Sequence, residues 1–213
     1  MFLPYFRIIL DLAAQRVHIR DNAHPGGRLM FIQTESTPNP ATLKFLPGQT
    51  VLGSGSADFP TEASADPSPL AKRLFRVEGV EGVFLGPDFI TVTKDDQDWA
   101  HLKPAILGVI MEHFTSGAPV METEARAGHV EVDGPDKHIV AQITELLDTR
   151  VRPAVAQDGG DITFHGFDEG VVYLHMRGAC AGCPSSTMTL KMGIENLLKH
   201  YVPEVSEVRP VGV

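Results

Sequence analysis

The chain has 213 residues, 43% of them hydrophobic and 21% charged, with a formal net charge of −9. This composition is typical of one large or two small globular domains and excludes a disordered or low-complexity chain. No apolar run reaches the ~18 residues that span a bilayer, and an acidic balance without a lysine or arginine cluster argues against nucleic-acid binding. The two cysteines, Cys180 and Cys183, share one Cys-x-x-Cys unit. That is too few for a secreted disulfide scaffold and indicates metal or redox chemistry in a reducing compartment.

Residues 1–29 differ in charge from the rest of the chain. They carry four arginines against two aspartates and begin with a broken apolar stretch. They have neither the basic start nor the small-residue cleavage site of a secretory signal, and the two aspartates disfavour an organelle presequence. We expect this segment to be an unmatched N-terminal extension, with Met30 a functional start, so that its deletion leaves folding intact.

Residues 30–117 alternate between strand and helix patterns and form the first predicted domain. The patterns predict, in chain order, strands at 31–34 and 43–45, a loop at 53–69, a helix at 69–76 and paired strands at 80–85 and 89–93. Pro38-Asn-Pro40 separates the first two strands, because a residue that precedes proline disfavours helix. A long helix then follows Asp98, which is suited to cap its N-terminus, and ends at Gly117.

Residues 118–135 are polar, small and acidic, so they are predicted to be a linker to a second domain at 136–213. In that domain the patterns predict a helix at 139–151 that Pro153 bends or ends, an antiparallel hairpin at 161–166 and 171–176, a helix at 190–201 and an edge strand at 204–211. The predicted fold class is α+β with two small domains. The second is a helix–hairpin–helix unit with the Cys-x-x-Cys loop at the start of its last helix.

Cys180 and Cys183 lie between a predicted strand and a helix that begins at Pro184. Proline fits the first helical position because no N–H partner is needed there. Cys183 then lies near the N-cap, with Cys180 in the loop before it. Both sulfurs are expected to face the positive end of the helix dipole, which would lower the thiol pKa and favour the reactive thiolate.

Four roles for the cysteine pair follow from the residues alone. A zinc site in a single chain would need His165 and His175 to complete the ligand set, and a thioredoxin-like oxidoreductase would use the pair in thiol–disulfide exchange. The pair could also have only a packing role. An iron–sulfur cluster usually takes four thiolates, so two copies of the chain would share one cluster across a two-fold axis. A cluster at such a junction is accessible and labile, which suits a carrier.

Four sequence motifs resemble a known family. The motifs at 157–161 (Gln-Asp-Gly-Gly-Asp) and 176–188 (Met-Arg-Gly-Ala-Cys-Ala-Gly-Cys-Pro-Ser-Ser-Thr-Met) closely resemble the C-terminal domain of NifU-like iron–sulfur scaffold proteins. The motifs at 31–40 (Phe-Ile-Gln-Thr-Glu-Ser-Thr-Pro-Asn-Pro) and 43–47 (Leu-Lys-Phe-Leu-Pro) resemble the N-terminal domain of the Nfu type. The resemblance covers residues 30–213.

The resemblance implies an α+β architecture and a [4Fe–4S] cluster held between two subunits by Cys180 and Cys183 of each, the only residues to which it gives a ligand role. It further implies a non-enzymatic scaffold and carrier that is loaded by an upstream donor and transfers the cluster to apo iron–sulfur proteins. Because a [2Fe–2S] cluster also takes four thiolates, that type stays an alternative. The alternative function is a thiol–disulfide oxidoreductase.

Proteins of this family occur in the bacterial cytoplasm and in the mitochondrial matrix. The character of residues 1–29 favours the bacterial cytoplasm, with the mitochondrial matrix as the alternative. The first domain contains no cysteine and is expected to contact partners or to shield the cluster.

Five further residues have a structural and a functional interpretation. Asp158 and Asp161 are predicted to be turn and capping residues rather than a general acid and base. Arg177 would either offset the negative charge of a thiolate cluster or lie solvated at the end of the hairpin. Met188 and Met192 are predicted to pack in the core or in an interface rather than to act as ligands.

Overall fold

The computed structural model describes residues 31–122, 136–181 and 184–211, without the side chains of 184–186. The extension at 1–29 with Met30, most of the predicted linker, Gly182 and Cys183 lie outside the described residues. The described residues form two units, each with its own sheet, helices and hydrophobic core. None of the helices in these ranges is long and apolar enough to cross a membrane.

The first unit is a five-stranded antiparallel sheet with helices on one face. Its elements are β1 (Gln33–Ser36), β2 (Thr42–Leu46), β3 (Ala57–Phe59), α1 (Pro69–Phe75), β4 (Val80–Leu85), β5 (Ile90–Lys94) and α2 (Trp99–Ser116). The strand order is β1-β2-β5-β4-β3, and every neighbouring pair is antiparallel. Apart from β3 the elements confirm the predicted pattern, with β1 shifted by two residues.

Local side chains fix the ends of two of these elements. Asp98 caps α2 because its carboxylate accepts a 3.0 Å hydrogen bond from the Ala100 N–H, and α2 ends at Gly117, whose φ is 68°. In the turn between β1 and β2, the side-chain oxygen of Asn39 accepts the Ala41 N–H at 3.0 Å. Asp98 and Gly117 thus confirm the predicted bounds of the long helix. The hydrogen bond of Asn39 stabilises the Pro-Asn-Pro turn.

The predicted loop at 53–69 was wrong in part, because it contains β3 and a 3-10 turn, Glu62–Ala65. The three residues of β3 pair with β4, and Phe59 is buried in the core. A strand this short is held by its long-range partner rather than by its own pattern. Its Gly- and Ser-rich surroundings therefore conceal it in the sequence.

The two faces of the first sheet have different neighbours. Phe45 and Ile90 point into the core with α1 and α2. Lys44 and Thr91, which are adjacent to them along the strands and pair across β2 and β5, are also buried. Since successive side chains of a strand alternate between faces, a second covering layer must lie on the Lys44 face. That layer is the second unit.

The second unit begins with a helical stretch that changes geometry in the middle and then forms a three-stranded sheet. Its elements are α3 (Lys137–Leu146), a π-helical turn (Leu147–Val151), α4 (Arg152–Gln157), β6 (Gly160–Asp168), β7 (Val171–Gly178), α5 (Pro184–Tyr201) and β8 (Glu207–Val211). The wide turn ends at Val151, two residues before Pro153, which has no N–H to donate into the preceding turn. The helical stretch therefore changes geometry close to Pro153 but does not end there, since α4 continues to Gln157.

The sheet of the second unit has the order β6-β7-β8. The pair β6 and β7 is the predicted antiparallel hairpin, and β8 is the predicted edge strand. β8 runs parallel to β7, which the sequence did not indicate. The segment from β7 through α5 to β8 is therefore a crossover connection, and the cysteine pair stands at its start.

Candidate functional site

The cysteine loop, residues 179–183, connects β7 to α5, and the structure describes its first three residues. The turn begins at Gly178, whose φ of 61° favours glycine. The Ala181 N–H donates to the Gly178 carbonyl at 3.0 Å, and the Thr187 hydroxyl donates to the Cys180 carbonyl at 3.2 Å. The backbone at Cys180 is thus tied to the end of β7 and to the first turns of α5.

Cys180 is buried, with 6% of its surface exposed, and belongs to the hydrophobic core of the second unit. Its thiol is free. Gly160, the first residue of β6, makes room for it, because a Cβ at Gly160 would lie 2.5 Å from the Cys180 sulfur. Any larger side chain at this position would displace the thiol or the strand.

The expectation of a lowered thiol pKa was wrong for Cys180. Burial raises the pKa of this thiol to about 12, and the negative charges of Asp158 and Asp161 raise it further in the same direction. The reason is that the side chain packs into the core, where desolvation disfavours the thiolate. In the metal-free chain Cys180 is a protonated thiol at neutral pH. Cys183 lies outside the described residues, so its predicted position at the N-cap was not tested.

Asp161 is a buried ion-pair residue, so the prediction that it serves as a turn or capping residue was wrong. Arg152 binds it with two hydrogen bonds, Nε to Oδ1 at 2.8 Å and Nη2 to Oδ2 at 2.9 Å. The hydroxyl of Ser56, from the first unit, donates to the same carboxylate at 2.6 Å. Buried carboxylates need such partners. Asp161 therefore anchors the start of β6 and joins it to the first unit.

Asp158 and Arg177 both precede the cysteine loop in the sequence, Asp158 just before β6 and Arg177 near the end of β7. Asp158 follows α4 as its C-terminal cap residue, in agreement with the predicted turn. Arg177 lines a cavity of about 300 Å³ together with Asp58, Pro60, His175 and Met176. Burial raises the pKa of Asp58, while the charge of Arg177 opposes that rise. Arg177 thus interacts with a carboxylate of the first unit instead of being only a solvated end of the hairpin.

The two histidines considered for a zinc site interact with each other. His175 Nε2 and His165 Nδ1 are 3.0 Å apart, and their rings meet edge to face on the exposed side of the hairpin. Within the ranges that the structure describes, no three His, Cys, Asp or Glu side chains converge as metal ligands. The described residues give the single-chain zinc site no support.

Met188 and Met192 lie one turn apart on α5 and are 64% and 59% exposed. They do not pack in the core, so that part of the prediction was wrong, and an interface role stays a prediction. Their exposed sulfurs lie on the helix that directly follows the cysteine loop.

Shielding of the cluster was one expected role of the first domain, but the sequence did not reveal which of its residues contact the cysteine loop and α4. The side-chain amide of Asn39 donates to the Ala181 carbonyl at 3.1 Å. The Lys44 ammonium donates to the carbonyls of Ala156 and Gln157 at 3.2 and 2.9 Å. One signal was available in the sequence. Lys44 lies within a predicted strand between apolar residues, and a lysine that is buried at such a position needs hydrogen-bond acceptors.

Two family models match the chain, "Scaffold protein Nfu/NifU N terminal" over residues 32–117 and "NifU-like domain" over residues 143–209. A human protein named "NFU1 iron-sulfur cluster scaffold homolog, mitochondrial" is 53% identical over 186 residues, which are 86% of this chain and 73% of that protein. Proteins of the same name from Drosophila erecta and Drosophila yakuba are 53% identical over 188 residues, 87% of this chain and 66% of theirs. The chain thus spans just under two thirds of these fly proteins. These three proteins are named as mitochondrial, which gives no support to the expected location in the bacterial cytoplasm.

Among solved structures, the NMR structure of a NifU-like protein from Saccharomyces cerevisiae aligns with a TM-score of 0.41 and 33% identity, over 45% of this chain and 87% of that one. A crystal structure of a protein from Staphylococcus aureus aligns with a TM-score of 0.34 and 29% identity, over 38% of this chain and 99% of that one. The sequence matches extend across both units. The chain belongs to the NifU-like family of the Nfu type, with an Nfu N-terminal domain followed by a NifU-like domain.

Proposed function

We propose that this protein is a non-enzymatic scaffold for iron–sulfur clusters, which it holds as cargo and passes to apo iron–sulfur proteins after loading by an upstream donor. One observation carries the proposal. The chain has only two cysteines, and both stand within the segment matched by the NifU-like domain. The names of relatives that are 53% identical support the same role.

The proposed cargo is a [4Fe–4S] cluster, and its ligands are Cys180 and Cys183 of two copies of the chain. Thiolates are the usual ligands of these clusters, and a full set has four of them. One chain has half of that set, so a second copy related by a two-fold axis completes it. A [2Fe–2S] cluster is the other outcome that four thiolates permit.

The environment of Cys180 suits temporary binding. Binding to iron requires the thiolate, whereas burial raises the pKa of this thiol to about 12. Loading must therefore release a proton from Cys180 and bring its sulfur out of the core. On release of the cargo, the protonated thiol returns to the space beside Gly160. Because the protonated, buried form of Cys180 is stable without metal, the net affinity of the protein for the cluster is lower and transfer of the cluster is favoured.

We further propose a mitochondrial location, on the ground that the relatives named above are mitochondrial proteins. Fluorescent tagging of the full chain at its C-terminus, followed by organelle fractionation, tests this location. Recovery of the tagged protein in the cytosol alone would contradict it.

Anaerobic reconstitution with iron and sulfide tests the cluster assignment. The loaded protein is expected to have the mass of a dimer with about four iron atoms, and its Mössbauer spectrum identifies the cluster type. Cys180→Ser and Cys183→Ser should each abolish retention of iron. Met188→Leu is the matched control, because it removes an exposed sulfur from the adjoining helix, and it should keep the full iron content.

Two outcomes would contradict the proposal. Single cysteine variants that retain all their iron would show that other residues hold it. Reduction of a model disulfide by wild type, without uptake of iron, would instead favour the thiol–disulfide oxidoreductase.

A further inference from the structure

The Pro-Asn-Pro turn of the first unit binds the cysteine loop directly. Asn39 is 6% exposed, and both ends of its side-chain amide are used. The oxygen accepts the Ala41 N–H within the turn, while the nitrogen donates to the carbonyl of Ala181, between the two cysteines. One side chain therefore shapes the turn and holds the loop.

Lys44 provides a second contact, at the end of α4. It is 6% exposed, and its ammonium donates to the Ala156 and Gln157 carbonyls, which terminate α4. A buried ammonium needs such acceptors, and the negative end of a helix is favourable for it. Without the second unit this lysine would lose both carbonyls and retain Glu35, 3.4 Å away, as its charged partner.

Close packing at two glycines provides a third contact. A Cβ at Gly159 would lie 2.7 Å from Thr91 Cγ2, and a Cβ at Gly178 would lie 2.9 Å from Phe84 Cγ. The Thr91 hydroxyl also donates to the Gly159 carbonyl at 3.0 Å. These glycines flank β6 and β7 at the end that leads into the cysteine loop. The first sheet thus fits against the backbone that supports Cys180.

We infer that the first unit is an intramolecular cap on the cysteine loop, which holds the metal-free arrangement with Cys180 buried and competes with a second copy of the chain for that loop. The cap is formed by Asn39, Lys44, Phe84 and Thr91. Two loops that share one cluster must face each other across it. While Asn39 holds Ala181, the residue that follows Cys180 is hydrogen-bonded to the first unit, so the cap must release the loop before a second copy binds. The competition rests on the proposed function; the cap itself rests on the contacts.

The reactivity of Cys180 measures the cap without any iron. In the full-length metal-free chain with Cys183→Ser, Cys180 is the only thiol, and its reaction with an aromatic disulfide reagent is followed at fixed pH. Asn39→Asp keeps the oxygen that accepts the Ala41 N–H but replaces the donor to Ala181 with a repelling oxygen. Loss of this hydrogen bond should accelerate the reaction about fivefold.

Thr91→Val is a second variant of the cap, and Thr93→Val is its matched control. Thr93 lies on the same strand, but its hydroxyl pairs with Thr42 inside the first unit. Thr91→Val should accelerate the reaction of Cys180 severalfold, and Thr93→Val should leave it unchanged. Circular dichroism and thermal melting verify that each variant is folded.

The cap and the proposed function can each be contradicted without the other. If folded Asn39→Asp and Thr91→Val react at the parent rate, the cap is overturned, even where the cysteine pair binds iron. If both variants react faster while Cys180→Ser retains its iron, the cap stands and the proposed function fails. With both cysteines present, the cap variants should also assemble the loaded dimer faster than wild type, and equal rates would overturn the competition.

Discussion

Arg152 binds Asp161 through two parallel hydrogen bonds, Nε to Oδ1 at 2.8 Å and Nη2 to Oδ2 at 2.9 Å. This is the planar geometry in which arginine recognises a carboxylate best. The pair joins the start of α4 to the start of β6, where Asp161 directly follows Gly160, the residue that makes room for Cys180. It also meets the first unit through Ser56. This ion pair therefore fixes the start of β6, which packs beside Cys180, relative to α4 and to the first unit.

Substitution of Asp161 should destabilise the protein markedly. Asp161→Ala leaves the guanidinium of Arg152 without its two-point partner and removes the acceptor of the Ser56 hydroxyl. Because the carboxylate is buried while Arg152 is about a third exposed, we expect a loss of about 2 kcal/mol in the free energy of unfolding. Urea denaturation measures it.

Asp148→Ala is the control, since Asp148 also contacts Arg152, at 3.0 Å, but is far more exposed. The loss there should be about 0.5 kcal/mol or less. Equal losses in the two variants would show that the Arg152–Asp161 pair contributes no more than a surface ion pair.

Removal of the charge at Asp158 should make Cys180 easier to ionise. Burial is the largest cause of the raised pKa of the Cys180 thiol, and the negative charge of Asp158 is the next largest. Asp158→Asn should therefore lower the pKa of Cys180 without returning it to the ordinary value. The pH profile of alkylation in the Cys183→Ser chain measures the shift. Asp168→Asn, at the far end of the hairpin, removes an equal charge and should leave the profile unchanged. An equal shift of the profile in Asp168→Asn would show that the net charge of the protein, and not the position of Asp158, sets the pKa of Cys180.

The parts of the fold that could be predicted are those whose signals are local. The long helix α2 carries its own cap at Asp98 and its own stop at Gly117, and the hairpin alternates clearly. β3 escapes prediction because three residues have no period of their own. The direction of β8 escapes it because strand polarity depends on a crossover, which no neighbouring residue specifies.

The candidate site was only half predictable, for a related reason. The positions of Cys180 and Cys183 in the sequence locate the site, since their spacing is a local pattern. The burial of Cys180 and its raised pKa depend on Gly160 and the core of the second unit. The contact of the neighbouring Ala181 with the first unit depends on Asn39. The hydrogen bond from Asn39 to Ala181 joins residues 142 positions apart. Helix-dipole reasoning considers the end of α5 alone and therefore gives the wrong direction for the thiol pKa.

Stability of the first unit should fall in mild acid because of His113. This side chain on α2 is fully buried, and neither of its ring nitrogens has a hydrogen-bond partner among the described residues. Burial, and after it the charge of Arg73, lower its pKa below the ordinary 6.5. The unfolded chain then takes up a proton at a higher pH than the folded one. Stability is complete above the unfolded pKa and declines as the pH falls through it toward the folded pKa.

His113→Leu should remove this part of the acid sensitivity. It should also raise the free energy of unfolding by about 1 kcal/mol near neutral pH, because two unpaired buried nitrogens are removed. Thermal melting between about pH 5 and pH 7, where histidine titrates, measures both effects. His101→Leu, at an exposed position of the same helix, should keep the wild-type dependence. An unchanged pH dependence in His113→Leu would assign the sensitivity to other groups.

Two glycines of β6 should respond in opposite directions to alanine. A Cβ at Gly160 would lie 2.5 Å from the Cys180 sulfur and 2.7 Å from the Arg177 carbonyl oxygen, whereas a Cβ at Gly166 would meet nothing within 4 Å. Gly160→Ala should cost about 2 kcal/mol in the free energy of unfolding, because the backbone carbonyl cannot move aside. Gly166→Ala should be neutral or stabilise by about 0.5 kcal/mol, since alanine restricts the unfolded chain. Urea denaturation of the metal-free protein compares them, and equal stabilities would show that neither the Arg177 carbonyl nor the Cys180 sulfur packs against Gly160.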